Sequence, residues 1–242
     1  MDLKFRKSLV ANVSELQIRT TSVPIGIVVG MRAEARLLPA GVAVACSGGR
    51  PRRAADLART LVEEGAAGLV SFGIAGGLAP ELEPGTLVVG TAVDLGGPVL
   101  AADAAWCGRL AALLPAARCG RVYGAEAAAM TPAAKQALYR QSAALAVDLE
   151  SAAVAEVCAA AGKPFAILRA VADPAGRAIP SLALAGLAAD GGTRPWAVAG
   201  GLLLRPRQLP ALLRLAGDSR LALGALRAAV RGLGPSLGFQ AG

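Results

Sequence analysis

Three carboxylates stand where short apolar runs end. Glu34 follows the run 25–30 by four residues, Glu150 closes Ala146-Val147-Asp148-Leu149, and Asp173 closes Ile167-Leu168-Arg169-Ala170-Val171-Ala172. Taken singly, each acid could cap a helix or sit in a solvated loop. Taken together, they supply what a site for general acid and base chemistry requires. The chain has no histidine, which excludes Ser-His-Asp triads, Cys-His dyads and His-containing zinc sites, so proton transfer falls to carboxylates. No metal site is expected. Two glycine-rich turns, Ser47-Gly48-Gly49-Arg50 and Gly73-Ile74-Ala75-Gly76-Gly77, could present N–H groups to an anion such as phosphate, with Arg50 adding charge. They could equally serve only tight backbone packing.

The elements that must position these residues alternate. Apolar runs at 25–30, 42–46, 69–72, 87–89, 144–149 and 165–171 read as strands covered on both faces. Ala54, Leu57, Ala58, Leu61 and Val62 recur at helical spacing, and further helices are expected over 132–142 and 151–161. Strands alternating with helices imply right-handed crossovers and a mostly parallel sheet. The expected fold is α/β: a single domain of three α/β/α layers around a central, mostly parallel mixed sheet. In such sheets ligands gather beyond the carboxyl ends of the strands, which is where the three acids lie in sequence.

Residues 1–22, which mix Lys4, Arg6, Lys7, Glu15 and Arg19 with polar groups, read as a disordered extension without the apolar core of a secretory signal. The α/β domain is placed at 23–190 and a basic, amphipathic helical tail at 191–242. Of the net charge of +8, seven arginines against Asp218 in this tail contribute +6. Nucleic acid is not the expected partner, because two Trp, two Tyr and four Phe leave little for stacking and no familiar binding motif is present. Leu212, Leu215, Ala216, Leu223, Leu226 and Val230 share one helical arc flanked by Arg220, Arg227 and Arg231. Such an arc suits either a membrane surface or docking on the core or a partner subunit. The longest stretch without charge, 65–80, is broken by glycines and too short to span a bilayer. Four scattered cysteines without a C-x-x-C pair fit a reducing compartment, so a cytoplasmic location is expected, with peripheral attachment to the inner face of the membrane as an option.

The chain resembles the nucleoside phosphorylase and nucleosidase superfamily, particularly its methylthioadenosine/S-adenosylhomocysteine nucleosidase branch. The blocks that carry the resemblance are Ile25-Gly26-Ile27 with Gly30-Met31-Arg32-Ala33-Glu34, Ser47-Gly48-Gly49, Gly73-Ile74-Ala75-Gly76-Gly77-Leu78, Asp148-Leu149-Glu150-Ser151 and Arg169-Ala170-Val171-Ala172-Asp173. Within the superfamily it is most similar to the hopanoid-associated phosphorylases, through Gly30-Met31-Arg32-Ala33-Glu34-Ala35-Arg36, Ser71-Phe72-Gly73 and the tail Asp190-Gly191-Gly192-Thr193-Arg194-Pro195-Trp196. Their inferred substrate is adenosylhopane, an adenosine joined through its 5′ carbon to a triterpenoid.

The resemblance implies cleavage of the N-glycosidic bond of an adenine nucleoside. Asp173 would donate a proton toward adenine N7, and Glu150 would grip the ribose 2′- and 3′-hydroxyls. Leu149 would pack on the sugar, unless it is simply core. Glu34, three residues after Met31, matches the base that activates water. Gly48, Gly49, Arg50, Gly73 and Ile74 would line a phosphate or water site. Two departures weaken a phosphate cradle: Ile74 stands where relatives commonly have serine, and Ser71 where phosphate-using relatives often have arginine. Water and inorganic phosphate both stay open as the nucleophile, and no cofactor is implied. Tyr123 and Met130 are the candidates to stack on the base. A short connection from Gly90 to Arg121 would leave the 5′ side of the pocket open. A homo-oligomer is expected from relatives. The competing readings are a soluble methylthioadenosine or S-adenosylhomocysteine nucleosidase and a non-catalytic nucleoside- or lipid-binding protein.

Overall fold

The computed structural model describes residues 25–186, 188 and 190–240. The extension expected over 1–22 lies outside the described residues. Two long strands form the spine. β3 (Gly68–Gly77) and β8 (Phe165–Asp173) run parallel, in register from Leu69 opposite Phe165 to Ala75 opposite Val171. Every residue of β8 is buried, as the continuous apolar run requires of a strand covered on both faces. Between Ala75 and Gly76 the register shifts, so that Gly76 faces Asp173. A bulge there re-aims the end of the strand, a common device beside functional sites.

The remaining strands extend this spine. β1 (Ile25–Val29) lies parallel between β2 (Ala43–Cys46) and β3. On the other side, β4 (Leu87–Asp94) pairs antiparallel with β8 and with the short β5 (Val99–Ala101), and parallel with β6 (Arg118–Gly124). β6 is parallel to β7 (Ala146–Asp148), which returns antiparallel to β3. Five of the eight pairings are parallel, and the path β3, β8, β4, β6, β7 closes on itself as a ring from which β1 and β2 project on one side and β5 on the other. The mixed, mostly parallel sheet of a single α/β domain is thus present, and its closure brings the end of β7 beside the ends of β3 and β8.

Helices cover both faces. α1 (Arg32–Ala35) is a single turn after β1. α2 (Pro51–Glu63), started by Pro51, buries Ala54, Ala58 and Leu61 and packs on α5 (Ser151–Ala161). On the opposite face α3 (Ala104–Leu113) is capped by Asp103 Oδ1, which accepts from Trp106 N at 2.7 Å, and packs with α8 (Leu209–Leu233). α4 (Pro132–Ser142), capped by Thr131, follows β6. α8 lays Ala222, Leu226, Ala229, Val230 and Leu233 against the sheet, chiefly β8, while Arg220, Arg227 and Arg231 stay exposed. Trp106 ties the layer together: its Nε1 donates to Leu237 O at 2.8 Å and its ring lies 4.7 Å from that of Phe239.

Between Gly90 and Arg121 the chain is not a bare connection. It holds the end of β4, β5, α3 and the start of β6. β6 is mostly exposed at its start and carries no apolar run, and α3 is rich in alanine, so neither leaves a sharp periodic trace. Two further helices, α6 (Ser181–Ala185) and α7 (Pro195–Leu204), precede α8.

Candidate active site

Each acid is delivered by an element end. β1 stops at Val29, and the turn at Gly30-Met31 folds Glu34 of α1 back over the strand end. Gly30 N and Met31 N donate to Glu34 Oε2 at 2.9 and 2.7 Å, and Ile74 N, from β3, donates to Oε1 at 2.8 Å. Gly73 is required beneath it, because a Cβ there would lie 2.5 Å from Glu34 Oε1 and 2.8 Å from Arg169 Nη1, at a φ of +153°. Glu150 follows β7 as the residue before α5. Its Oε1 accepts from Ser47 Oγ at 3.1 Å, and its Oε2 lies 3.3 Å from Arg169 Nη2. Gly30 leaves room for this carboxylate, since a Cβ there would meet Oε1 at 2.7 Å. Asp173 ends β8, and its Oδ2 is held at 2.5 Å by Lys135 Nζ, from α4.

Glu34, Glu150 and Asp173 line one cavity of about 190 Å³ at the carboxyl ends of β1, β3, β7 and β8. Leu149, Gly49 and Ile74 share its wall, as do Met31, Asp148, Val147, Ala128, Ala129 and Ile179. Three residues of the expected phosphate or water site do not: Gly48, Arg50 and Gly73 lie outside this lining. Arg50 is spent as the exposed residue preceding α2, and Gly73 is covered by the Glu34 carboxylate. Neither Tyr123 nor Met130 reaches the cavity, whose apolar lining carries no aromatic ring; Tyr123 lies instead against the turn at Gly96. No residue between Gly90 and Arg121 lines it.

Two cations to which the sequence assigned no role organise the acids. Arg169, fully buried in β8, stands opposite Gly73 and reaches under the cavity. Its Nη2 donates to Ser71 Oγ at 2.5 Å; its Nε forms an ion pair with Asp148 Oδ2 at 2.7 Å without a well-aligned hydrogen bond, and Nη1 has no hydrogen-bond partner among the described residues. Asp148 is thereby a fixed support: Oδ1 accepts from Glu150 N and Ser151 N, and Oδ2 from Ser151 Oγ. Lys135, also fully buried, donates to the carbonyls of Asp173, Pro174 and Arg177 and so pins the loop that carries Asp173. Arg177 in turn pairs with Asp218 of α8. Sequence carried a faint trace of the first: Arg169 is a charged residue inside an otherwise apolar run, and a buried charge must find a partner. Lys135 lies on an unremarkable helix and had no such signal.

The electrostatics follow from burial. Glu34 is pushed up to about 7, first by loss of water and then by the neighbouring Glu150 carboxylate, against the pull of Arg169 and the backbone N–H groups. Glu150 is raised by burial and by Asp148, with Arg169 opposing. Asp173 is raised by burial more than Lys135 lowers it. Burial works against the charge on Arg169, but Asp148, Glu150 and Glu34 together outweigh it and hold the guanidinium protonated. The site therefore combines an acid near neutrality, two acids raised above their ordinary range, and two buried cations. Titratable groups displaced in a cleft are what proton-transfer chemistry uses.

An α/β domain with acids gathered at the strand ends is an enzyme architecture, and the sequence says which. The profile of the Phosphorylase superfamily matches residues 10–187, and the chain belongs to that family. No curated protein matches the chain in sequence. Among solved structures it is similar to the 5′-methylthioadenosine/S-adenosylhomocysteine nucleosidase of Helicobacter pylori, with TM-score 0.61 and 16% identity over 86% of this chain and 97% of that one. The S-adenosylhomocysteine nucleosidase of Streptococcus pyogenes gives TM-score 0.59 and 20% identity over 63% and 84%. The futalosine hydrolase of Helicobacter pylori gives 0.60 and 16% over 86% and 97%. At these identities the likeness is one of fold.

Proposed function

We propose that the protein cleaves the C1′–N9 bond of an adenine nucleoside by hydrolysis, and that its substrate is adenosylhopane. The observation that carries the first part is the convergence of Glu34, Glu150 and Asp173 on one cavity from three separate strand ends. Expelling adenine leaves positive charge on the ribose, so the reaction needs a proton at the base and anions at the sugar. Asp173, with Oδ2 held by Lys135 and its other oxygen without a hydrogen-bond partner among the described residues, supplies the proton to the purine. Glu150, anchored by Ser47 and Arg169, binds the ribose hydroxyls and stabilises the developing charge. Glu34 takes a proton from the attacking water, whose oxygen bonds to C1′ as the bond to N9 breaks. The products are adenine and a free ribosyl compound.

Water is favoured over phosphate by charge. Three carboxylates, Glu34, Asp148 and Glu150, surround the single guanidinium of Arg169, and Arg50 stands outside the cavity. A dianionic phosphate would be repelled there, whereas a neutral water molecule beside the Glu34 carboxylate, which lines the cavity, carries no such penalty. The hopanoid substituent is supported by the sequence resemblance and by the absence of the 90–121 segment from the cavity wall, which fits a bulky group extending from the sugar's 5′ carbon. A second reading, a soluble methylthioadenosine or S-adenosylhomocysteine nucleosidase, is favoured by the names of the structural neighbours.

The test offers purified protein adenosylhopane, 5′-methylthioadenosine and S-adenosylhomocysteine, each with and without phosphate, and follows adenine by chromatography and the sugar product by mass. Adenine from adenosylhopane with an unphosphorylated sugar is the expected result. A phosphate adduct would replace hydrolysis by phosphorolysis. Turnover of the small thioethers alone would establish the second reading, and tight binding without turnover would remove the enzyme.

A further inference from the structure

α7 reverses the usual placement of side chains. Its sequence, Pro-Trp-Ala-Val-Ala-Gly-Gly-Leu-Leu-Leu, contains no polar side chain, and none of its ten residues is buried. Trp196 is 87% exposed, and Leu203 and Leu204 are each 85% exposed. Exposed leucines continue on either side, Leu184 in α6 and Leu209 and Leu213 in the first turns of α8. A monomeric surface seldom carries so much contiguous apolar area without a partner.

The flanking charges say what the partner is. From Arg194 to Gly217 every charged residue is an arginine: Arg194, Arg205, Arg207 and Arg214. All four are exposed, and none forms an ion pair among the described residues; Arg205 Nη1 donates only to Ser181 Oγ, at 3.2 Å. An apolar helix bracketed by arginines, with a tryptophan in its first turn, has the composition of a segment that lies in the boundary layer of a bilayer. At about 15 Å it is far too short to cross one, and no helix among the described residues is long and apolar enough to do so. A second copy is a poorer occupant. A two-fold contact would set the patch against itself and bring these unpaired arginines together. Anionic lipid satisfies both the apolar surface and the charge.

The stretch that leads into α7 is also tied to the cavity, at 179 and again at 190–191. Ile179 lines the cavity two residues before α6, and α6 packs against α7 through Leu182 at Gly201. Before α7, Gly191 returns to the other rim, where its carbonyl accepts from Arg32 N at 2.9 Å and Arg32 Nη2 meets Asp190 Oδ2 at 2.8 Å, next to the cavity residues Gly30 and Met31. We propose that α7, with the exposed leucines beside it, docks on an anionic lipid bilayer and holds the cavity against its surface. Docking follows from the surface chemistry alone. Its use, delivery of a nucleoside whose apolar 5′ substituent stays dissolved in the bilayer, rests on the function proposed above.

The chain offers its own probe, since it has two tryptophans and Trp106 is fully buried. Full-length protein is mixed with vesicles of phosphatidylcholine alone or of equal parts phosphatidylcholine and phosphatidylglycerol, and tryptophan emission and co-sedimentation are read together. The expected result is a blue shift and sedimentation with the anionic vesicles, about tenfold or more weaker with the neutral ones. Leu203→Ser with Leu204→Ser should lower binding by a similar factor while leaving turnover of soluble 5′-methylthioadenosine or adenosine, if any, unchanged. Protein that stays in the supernatant without a spectral shift overturns the proposal, as does equal binding to both vesicles. A blue shift without lipid that grows with protein concentration, together with a doubled mass in light scattering, would assign the patch to a second copy and overturn it too. Because the readout needs no catalysis, vesicle binding without adenine release would leave the docking standing and remove the proposed function, and the converse result would do the opposite.

Discussion

The wall formed by the ends of β1, β3, β7 and β8 and the helix α7 both depart from the ordinary distribution of side chains, in opposite directions. In the wall, Glu34, Asp148, Glu150, Arg169, Asp173 and Lys135 are all buried. In α7, an unbroken apolar sequence faces outward. Buried charge is costly unless every group is met, and here most are met by named partners. The exceptions are informative: Arg169 Nη1 is left over within the wall, and one oxygen of Asp173, a cavity residue, has no hydrogen-bond partner among the described residues. Exposed apolar surface is costly in water in a different way, and it is left over on the side of a partner. In one region unused polar capacity points to chemistry, and in the other unused apolar capacity points to association.

If that contrast holds, the largest effects belong to the wall. Asp173→Asn keeps the shape but cannot give up a proton, so adenine release should fall by about 10²–10⁴-fold with the circular dichroism spectrum unchanged. Retained turnover would remove Asp173 from the proton's path. Lys135→Met leaves the Asp173 carboxylate buried without its cation and frees the 173–177 loop from three carbonyl contacts. Breaking one partner of a buried pair costs about 3–5 kcal/mol, to be read as a drop in chemical denaturation midpoint. A loss under about 1 kcal/mol would mean the loop is held by other means, and the wall would be less tightly determined than its hydrogen bonds imply.

Glu34 ties stability to pH. Its carboxyl is raised from 4.5 to about 7 in the folded chain, so between those values the folded state keeps a proton that the unfolded state gives up. Stability from this group is therefore present at low pH and lost as pH rises toward 7, by at most about 3 kcal/mol. Glu34→Gln removes that dependence. The melting temperature of the variant relative to the parent should climb by several degrees between about pH 5 and pH 8, while kcat/KM of the parent should rise through a limb near 7 as the base form appears. A flat difference in melting temperature across this range would show Glu34 ionised throughout and its backbone N–H partners dominant.

The wall was legible in sequence only in outline. The acids announced themselves because each follows an apolar run, and the rule that ligands gather beyond strand ends put them on one rim. The cations did not. Lys135 sits on an amphipathic helix among alanines, where a lysine is ordinarily solvated, and only the packing of α4 under the 173–177 loop buries it. Arg169 was visible as a break in an apolar run, but its partners Ser71, Asp148 and Glu150 come from β3, β7 and the turn after β7, and only ring closure brings these together. The glycine turns were half readable. Gly49 reaches the cavity and Gly48 with Arg50 does not, because Arg50 is consumed in starting α2. In the tail, sequence drew attention to the arc at Leu226 and Val230, which lies against the sheet, and passed over the wholly apolar α7, which has no amphipathic period to detect.

The smallest expected effect is the sharpest check on the other half of the contrast. Leu203→Ser with Leu204→Ser removes two large apolar side chains, and in a packed position each such truncation would cost about 2–5 kcal/mol. At 85% exposure almost none of their surface is withdrawn from water on folding. The pair should therefore shift stability by no more than about 0.5 kcal/mol, within the range of ordinary surface changes, in urea titrations at low protein concentration and without lipid. A loss of 2 kcal/mol or more would mean that α7 is covered in the free protein. The exposed leucines would then belong to the protein's own packing, and the symmetry between a polar surplus at the cavity and an apolar surplus beside it would fail.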